Sequence, residues 1–283
     1  MHPTRAIIRR ILPVALATML AAPATATELI FRDTMERRLE TVFRDDSLAL
    51  RDPHVFADVP VFGCVDFTDQ PIPGTEFSLN GEIDTALNND ADGDDLLDLS
   101  PLTALDIADP QAVGPMVTRL QGACPAPAPP MSCGAAAQPP AAQPAENRDS
   151  GNCLAPVPGT TSGYMPGVPT IGAPCFATRA ATLTTELNGL SIPLQGARLG
   201  ATRVDGGMAL APVLTLGFLR ESDADQIPLP QDIPLLGGEP LSSILPGGAG
   251  NCAAGDDRDT FEGESGWWFY LESSAMPVDF QPG

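Results

Sequence analysis

The sequence predicts a mostly-β, sandwich-like protein with a few short helices and long loops rich in Pro and Gly. The 27 Gly and 31 Pro among 283 residues argue against long helices, because Pro lacks an amide hydrogen and Gly destabilises helix interiors. Short apolar runs recur between turn residues, as is typical of strands. The six cysteines are an even number, which indicates that disulfides hold irregular segments together.

Residues 1–26 have the pattern of a secretory signal peptide. Three arginines lie among the first ten residues, the apolar run Ile11–Ala22 follows, and the small-residue triplet Ala24–Ala26 comes after it. This run is shorter than the roughly 20 residues of a membrane-spanning helix. We therefore expect cleavage after Ala26, a secreted or periplasmic location and no membrane span.

The charge balance narrows the possible partners. Removal of the signal peptide would delete three arginines and no acidic residue, which takes the net charge from −21 to −24. Because of this negative charge, the protein is expected to repel nucleic acid and to attract divalent cations. The chain contains no lysine, which excludes P-loops, Schiff-base enzymes and lysine-dependent nucleophiles. We expect no nucleic-acid partner.

All six cysteines follow the predicted signal peptide. In an exported chain they are expected to form disulfides. Six cysteines allow 15 connectivities, and among these we favour two local pairs, Cys124–Cys133 and Cys153–Cys175, with a long-range pair, Cys64–Cys252. The absence of a C-x-x-C motif, with His54 as the single histidine after residue 26, argues against a zinc site.

Composition divides the mature chain into three parts. Residues 27–123 and 176–283 are predicted to be β-rich halves, and the first carries an acidic loop. Residues 124–175 are dominated by Pro, Ala and Gly between cysteines, and they predict either a linker or a long surface loop.

Several individual elements can be assigned from apolar periodicity and turn residues. Strands are predicted at His54–Val59, Val61–Thr68, Glu76–Ile83, Ala181–Asn188, Leu190–Val204 and Trp267–Leu271. Asn80-Gly81 indicates a hairpin turn or a bulge within the third of these runs. Short helices are predicted at Thr34–Phe43 and Gly238–Leu245. The segment Met208–Arg220 is ambiguous, although its apolar spacing suits a helical face.

The acidic run 88–100 is the strongest chemical signal in the chain. Its carboxylates lie at near-alternating positions, in the form D-x-D-G-D-x-x-x-D. The run resembles the calcium loops of EF-hands, dockerins and thrombospondin type 3 repeats. This resemblance implies a calcium ion as cofactor, with side-chain oxygens and one backbone carbonyl as ligands. The implied metal ligands are Asp90, Asp92, Asp94, Leu96 through its carbonyl, and Asp98.

Two positions depart from the EF-hand pattern. Asp95 occupies the sixth position, where the pattern has Gly, and Pro101 occupies the twelfth, where it has Glu. A further ligand would have to come from Asp106, Asp109 or the acidic run Asp256–Asp259. We therefore expect weak calcium binding, with a dissociation constant of about 10⁻⁴–10⁻³ M.

These observations favour a secreted, calcium-stabilised, disulfide-bonded binding or structural module of the cell envelope or extracellular space. Trp268 and Tyr270 could form a patch for a protein or glycan partner. The alternatives are a hydrolase using carboxylates or the calcium itself, and a protein binding an apolar ligand between its sheets. The sequence offers no catalytic set, because His54 lies in a strand-like setting with no partner assigned. A non-enzymatic role is the expectation.

Overall fold

The computed structural model describes residues 41–106, 115–136, 141–187 and 189–281. The signal peptide, residues 34–40 of the predicted helix Thr34–Phe43, and Asp109 lie outside these ranges. The helix prediction is wrong for its described residues, because Thr41 to Phe43 begin a strand. The first six strands are β1 (Thr41–Asp52), β2 (Phe56–Val59), β3 (Gly63–Asp66), β4 (Pro101–Asp106), β5 (Met116–Ala123) and β6 (Ser132–Ala135). The next five are β7 (Ala141–Arg148), β8 (Asn152–Leu154), β9 (Ile171–Gly172), β10 (Cys175–Thr178) and β11 (Ala181–Leu187). The last four are β12 (Leu190–Val204), β13 (Ala209–Arg220), β14 (Asp259–Phe261) and β15 (Glu264–Gln281).

Helices are few and short in the described part of the chain. The α-helices are α1 (Leu79–Asn88) and the single turn α2 (Glu221–Ala224), and 3₁₀ turns occur at Asp205–Gly207 and Leu241–Ile244. None of the described helices has the length and apolarity needed to cross a membrane. The prediction of a mostly-β fold is confirmed.

Eight strands pair antiparallel in a closed cycle. The cycle runs β1, β4, β5, β7, β10, β12, β13 and β15, and β15 then pairs with β1. Closure leaves these strands without open edges, which protects the sheet from pairing with other chains. β6 pairs with both β5 and β15, while β11 and β14 extend the sheet beside β12 and β15.

The closed sheet surrounds an apolar interior to which each of the eight strands contributes. Its buried members are Phe43, Leu105, Val117, Ala145, Phe176, Leu199, Ala201, Leu210, Val213 and Ala275. Opposite sides of the sheet therefore face one another across one shared core, which gives the sandwich-like packing that the sequence predicts. A second, larger core lies where α1 and the loop segments pack on β1, β13 and β15.

All three predicted disulfides are confirmed. Cys124–Cys133 and Cys153–Cys175 close short segments, and Cys64–Cys252 joins residues that are 188 positions apart. The described residues include no free cysteine. Three disulfides fit a protein of an oxidising compartment.

The predicted strand at Trp267–Leu271 is confirmed, and its side chains alternate between two faces of the sheet. Trp267, Phe269 and Leu271 belong to the core beneath α1. Trp268 and Tyr270 point to the opposite face, where they pack with the Cys153–Cys175 disulfide. The suggested partner patch is wrong, however, because Trp268 is 8% exposed and Tyr270 is fully buried. Both residues serve a core and offer no surface for a protein or glycan.

The predicted strand Glu76–Ile83 is wrong, because helix α1 begins within it. Asn80 and Gly81 lie in the first helical turn instead of a hairpin. The Asn80 side chain accepts the Leu50 amide and donates to the Leu50 carbonyl, which ties α1 to β1. Burial of Leu79, Ile83, Ala86 and Leu87 on one face stabilises the helix.

The helical spacing of Met208–Arg220 is misleading as well. Residues 209–220 form strand β13, at the centre of the ladder between β12 and β15. Leu210, Val213 and Leu214 are buried on opposite faces of the sheet, so this strand is apolar on both sides. A strand buried on both faces loses the simple alternation by which strands are recognised in sequence.

The Pro-, Ala- and Gly-rich segment 124–175 does not act only as a linker or loop. It supplies strands β6 to β9 and the first residue of β10. β7 closes the cycle by pairing with β5 on one side and β10 on the other. The N-terminal and C-terminal parts of the chain thus share one continuous sheet.

Candidate functional site

The acidic loop connects helix α1 to strand β4. The Asn89 amide donates to the Thr85 carbonyl at the end of the helix, and the Leu99 amide donates to Ala86. Leu97 is 4% exposed and packs against the Cys124–Cys133 disulfide. Its amide donates to the Cys124 carbonyl at 2.9 Å. Leu97 therefore anchors the acidic loop to this core.

Three of the five predicted ligand residues come together in space. Asp90, Asp92 and Asp98 each offer one carboxylate oxygen, and these oxygens all lie within 4.8 Å of one another. Calcium binds oxygens at about 2.3–2.6 Å, so one ion between them could contact all three. Asp90 is half-buried and the other two side chains are exposed.

Backbone amides of the loop orient these carboxylates. Asp90 accepts hydrogen bonds from the amides of Gly93 (2.7 Å), Asp94 (3.1 Å) and Asp95 (2.9 Å). Asp98 accepts from the Ala91 amide at 3.2 Å. These bonds fold the loop around the trio, so the carboxylates are held near each other by the backbone.

The two remaining predicted ligands are placed differently. The Asp94 carboxylate accepts the Leu96 amide at 2.8 Å and does not belong to the trio. Leu96 forms an isolated bridge with Pro125. The described geometry thus groups three of the predicted ligand residues and leaves Asp94 and Leu96 beside them.

The loop also shows how the departure at the sixth position is accommodated. Gly93 and Asp95 both have left-handed backbone conformations, with φ of 79° and 66°. Asp tolerates this region better than most residues because its short side chain bonds locally. The turn that the EF-hand pattern makes with Gly is therefore made here with Asp95.

A wide cleft opens beside the trio. It has a volume of about 670 Å³, and its lining includes Asp92, Asp98, Ser100, Gln121 and Glu186. Glu186 comes from β11, far from the loop in sequence, and sequence analysis missed it. An isolated glutamate in an alternating strand carries no local signal of such a position. Ser100 is 2% exposed, and its hydroxyl has no hydrogen-bond partner among the described residues.

In the second acidic run, Asp256–Asp259, two carboxylates bind partners away from the loop. Asp256 binds Arg258 at 2.8 Å, and this guanidinium lowers the pKa of the Asp256 carboxyl. Asp257 accepts a hydrogen bond from the Tyr164 hydroxyl at 2.7 Å. Neither residue belongs to the loop trio. The run therefore makes its own contacts, and Glu186 is the additional carboxylate that the structure brings to the cleft beside the loop.

A second cluster of titratable groups surrounds His54. Nδ1 of His54 lies 2.6 Å from Oδ2 of Asp66, and the imidazole stacks on the Tyr164 ring with centroids 3.8 Å apart. Burial raises the pKa of the Asp66 carboxyl, but hydrogen bonds from His54 and Thr68 outweigh it and lower the pKa overall. The His54 side chain is 7% exposed, so Tyr164 and the surrounding fold shield it from a substrate.

Asp52 lies within the same cluster. It is 2% exposed, and its carboxylate accepts the Ser162 amide at 2.8 Å. Burial raises the pKa of Asp52 to about 6, and the negative charges of Asp257 and Asp259 act in the same direction. These contacts fasten the loop between β8 and β9 onto the end of β1.

Comparison with protein-family models, with curated proteins and with solved structures gave no match to this chain. The fold and its sites are therefore interpreted from their own geometry.

Proposed function

We propose that this protein is an exported, calcium-stabilised, disulfide-bonded module with a binding or structural role in the cell envelope or extracellular space. The observation that carries the proposal is the convergence of the Asp90, Asp92 and Asp98 carboxylates at the junction of α1 and β4. Three carboxylates held this closely repel each other, and a divalent cation would replace that repulsion with attraction.

The loop is a suitable place for a stabilising ion because it is tied to two structural units. Asp98 lies between Leu97 and Leu99, which are buried in different cores. An ion bound to Asp98 and to Asp90, two residues after the helix, would fasten α1 to the start of β4. Calcium would therefore stabilise the packing of the helix on the closed sheet.

Calcium fits the donor set better than other common ions. All the candidate ligands are oxygens, and the described residues bring no histidine or free cysteine to the trio. Oxygen-only sites suit hard cations such as Ca²⁺ and Mg²⁺, whereas zinc favours nitrogen and sulfur. An open, partly exposed loop also suits the flexible coordination of Ca²⁺ more than the strict octahedron of Mg²⁺.

The test is unfolding of the oxidised protein with calcium and with chelator at constant ionic strength. Calcium at ten times its dissociation constant should add about 1.4 kcal/mol to the unfolding free energy if it binds only the folded state. Magnesium should not reproduce the gain. Asp92→Ala should abolish it while leaving the unfolding free energy in chelator unchanged or slightly higher, because like-charge repulsion is relieved.

Asp58→Ala is the matched control, because Asp58 is an exposed acidic residue on β2. This variant should gain as much from calcium as the wild type. Equal stabilisation of the Asp92→Ala variant would rule out the loop as the calcium site.

The structure gives less support to the two alternatives. A hydrolase would need a cleft with convergent carboxylates, or His54 beside a serine. His54 is buried beneath Tyr164, and the carboxylates that converge beside a cleft are the ones proposed here to bind calcium. The cavity between Leu48, Leu183 and Leu271 has a volume of only about 60 Å³, which suits a water molecule and not an apolar ligand. We therefore advance no second function.

A further inference from the structure

The outer face of β7, β10 and β12 carries a local reversal of the protein's charge. A cleft of about 300 Å³ there is lined by Arg148, Arg179 and Arg198, with Glu146 as the single acidic residue of the lining. The lining thus carries a formal charge of +2, while the whole chain carries −21. Chance placement of 15 basic residues among 36 acidic ones does not favour such a grouping.

Four arginines elsewhere in the described chain are neutralised by carboxylates, whereas Arg44 and Arg203 donate to a backbone carbonyl and to an amide oxygen. Arg51, Arg119, Arg220 and Arg258 each form an ion pair with a carboxylate at 3.0 Å or less. In the cleft, by contrast, the one ion pair that the described residues form is between Arg179 and Glu146 at 3.6 Å, with both side chains more than half exposed. Such an exposed pair contributes little and is easily exchanged for another anion.

Arg148 and Arg198 are held in place by neutral partners. Nη1 of Arg148 donates to the Asn152 carbonyl at 3.0 Å, and Nε of Arg198 donates to the Thr178 carbonyl at 3.1 Å. Neither guanidinium has a carboxylate partner among the described residues. Each of them keeps further N–H groups, because a guanidinium has five donors. Their charge is therefore oriented by the backbone and still available to a ligand.

The frame of the cleft is rigid. Arg148 and Glu146 lie on β7, opposite Cys175 and Ala177 of β10 in the ladder. The Cys153–Cys175 disulfide fastens β8 to β10 at the same place, and Cys153 lines the cleft. Pre-organised donors lose little conformational entropy when a ligand binds, which favours affinity.

We propose that this cleft, the arginine cleft, is an anion-binding site for a doubly charged tetrahedral oxyanion, the group shared by phosphate, sulfate and their monoesters. Three guanidiniums match a multiply charged oxyanion better than a single carboxylate, because each can present paired N–H groups to two oxygens. The site shares no residue with the acidic loop, so anion binding can be tested independently of calcium binding.

The test is calorimetric titration of the calcium-free, oxidised protein with inorganic phosphate at pH 7.5 and constant ionic strength in chloride. We expect one phosphate per chain, and acetate should bind at least about tenfold more weakly. Glycerol phosphate in a parallel titration distinguishes the sources: binding of the ester assigns the site to a phosphorylated molecule, and binding of phosphate alone assigns it to the free ion. Either result supports an oxyanion site.

Variants decide whether the arginine cleft is responsible. Arg148→Gln and Arg198→Gln should each weaken phosphate binding about tenfold or more, since a hydrogen bond to a charged group is lost. Arg198→Lys keeps the positive charge but loses the planar, bidentate donor geometry of the guanidinium, so its phosphate affinity should lie between those of the wild type and Arg198→Gln. Arg220→Gln is the control, because Arg220 lies outside the cleft and pairs with Asp223; it should bind as the wild type does.

Absence of saturable phosphate binding would overturn the proposal. So would equal affinity for acetate and phosphate, or undiminished binding by the Arg148→Gln variant. Arg148 is exposed on β7, so this variant should fold even if changes at Arg198 disturb the sheet.

Discussion

Asp45 and Arg119 form a bidentate ion pair inside the closed sheet. Nη1 and Nη2 of Arg119 lie 3.2 and 2.6 Å from the two carboxylate oxygens of Asp45. Thr103, on the strand between them, accepts a further hydrogen bond from Nη1 at 2.7 Å. The pair thus connects β1 and β5 across β4, and Asp45 is fully buried.

This ion pair should be the most sensitive polar contact of the interior. Asp45→Ala leaves the Arg119 guanidinium, whose side chain is 17% exposed, without its charged partner, and we expect a loss of about 3 kcal/mol in unfolding free energy. Urea denaturation measures it. Asp223→Ala, which breaks the more exposed pair with Arg220, should have a much smaller effect, because exposed ion pairs contribute little to stability. Equal losses of unfolding free energy in the two variants would show that the Asp45–Arg119 pair stabilises the protein no more than an exposed pair does.

Asp52 should make stability depend on pH in mild acid. Its pKa is about 6 in the folded protein, above the ordinary value of 3.8. The folded state therefore binds this proton more tightly than the unfolded state. The resulting stabilisation is fully present below about pH 4 and is lost as the pH rises through 6.

The variant Asp52→Asn removes this titration while keeping an acceptor for the Ser162 amide. Relative to the wild type, it should be more stable at pH 7 by up to about 3 kcal/mol, and the difference should vanish near pH 4. Denaturation series between pH 4 and 7.5 measure the difference. Parallel stability curves for the two proteins would contradict the assignment.

The turn between β2 and β3 should be improved by substitution. The Phe62 amide donates to the Val59 carbonyl, and Val61 has φ of 75° at a position that favours Gly. The Val61 side chain is fully exposed, so its removal sacrifices no packing. Val61→Gly should stabilise the protein by about 0.5–1 kcal/mol, after allowing for the greater freedom of Gly in the unfolded chain.

Chemical denaturation with an unchanged slope would measure this gain. Val59→Gly in the same hairpin is the contrasting variant, because Val59 is 4% exposed. Loss of its buried side chain should cost at least about 2 kcal/mol. A destabilised Val61→Gly variant would mean that the left-handed backbone is not strained.

The long-range disulfide should contribute more than a local one. Cys64–Cys252 spans 188 positions and Cys124–Cys133 spans nine. In the chain-entropy description, the longer loop restricts the unfolded chain more, by about 2–3 kcal/mol. Paired Cys→Ala variants of each disulfide, compared by denaturation, should differ by this amount. A larger loss at Cys124–Cys133 would indicate that its buried packing outweighs chain entropy.

Sequence reasoning succeeded where local chemistry dominates. The even number of cysteines in a chain predicted to be exported indicated disulfides, and the strand at Trp267–Leu271 followed from its apolar periodicity. Sequence reasoning failed where tertiary packing overrides the local turn or strand propensity of a segment. Asn80-Gly81 is a strong hairpin signal, yet the burial of one helical face on β1 makes it the first turn of α1.

The candidate site was only partly predictable for the same reason. The positions of Asp90, Asp92 and Asp98 in a loop pattern indicated that they would converge, because residues of one tight turn are necessarily close. Glu186 could not be anticipated, since its approach to the cleft beside the loop depends on the placement of β11. The arginine cleft likewise combines β7, the segment after β10, and β12.

By itself, the sequence determined the mostly-β class, the presence of disulfides and the acidic loop, because composition and short-range spacing act within a few residues. Only the tertiary structure decided the closed order of the strands, the burial of Trp268 and Tyr270, and the grouping of Arg148, Arg179 and Arg198. These features depend on contacts between residues far apart in the chain. The free energy of such contacts comes from burial and charge that exist only once the sheet has closed.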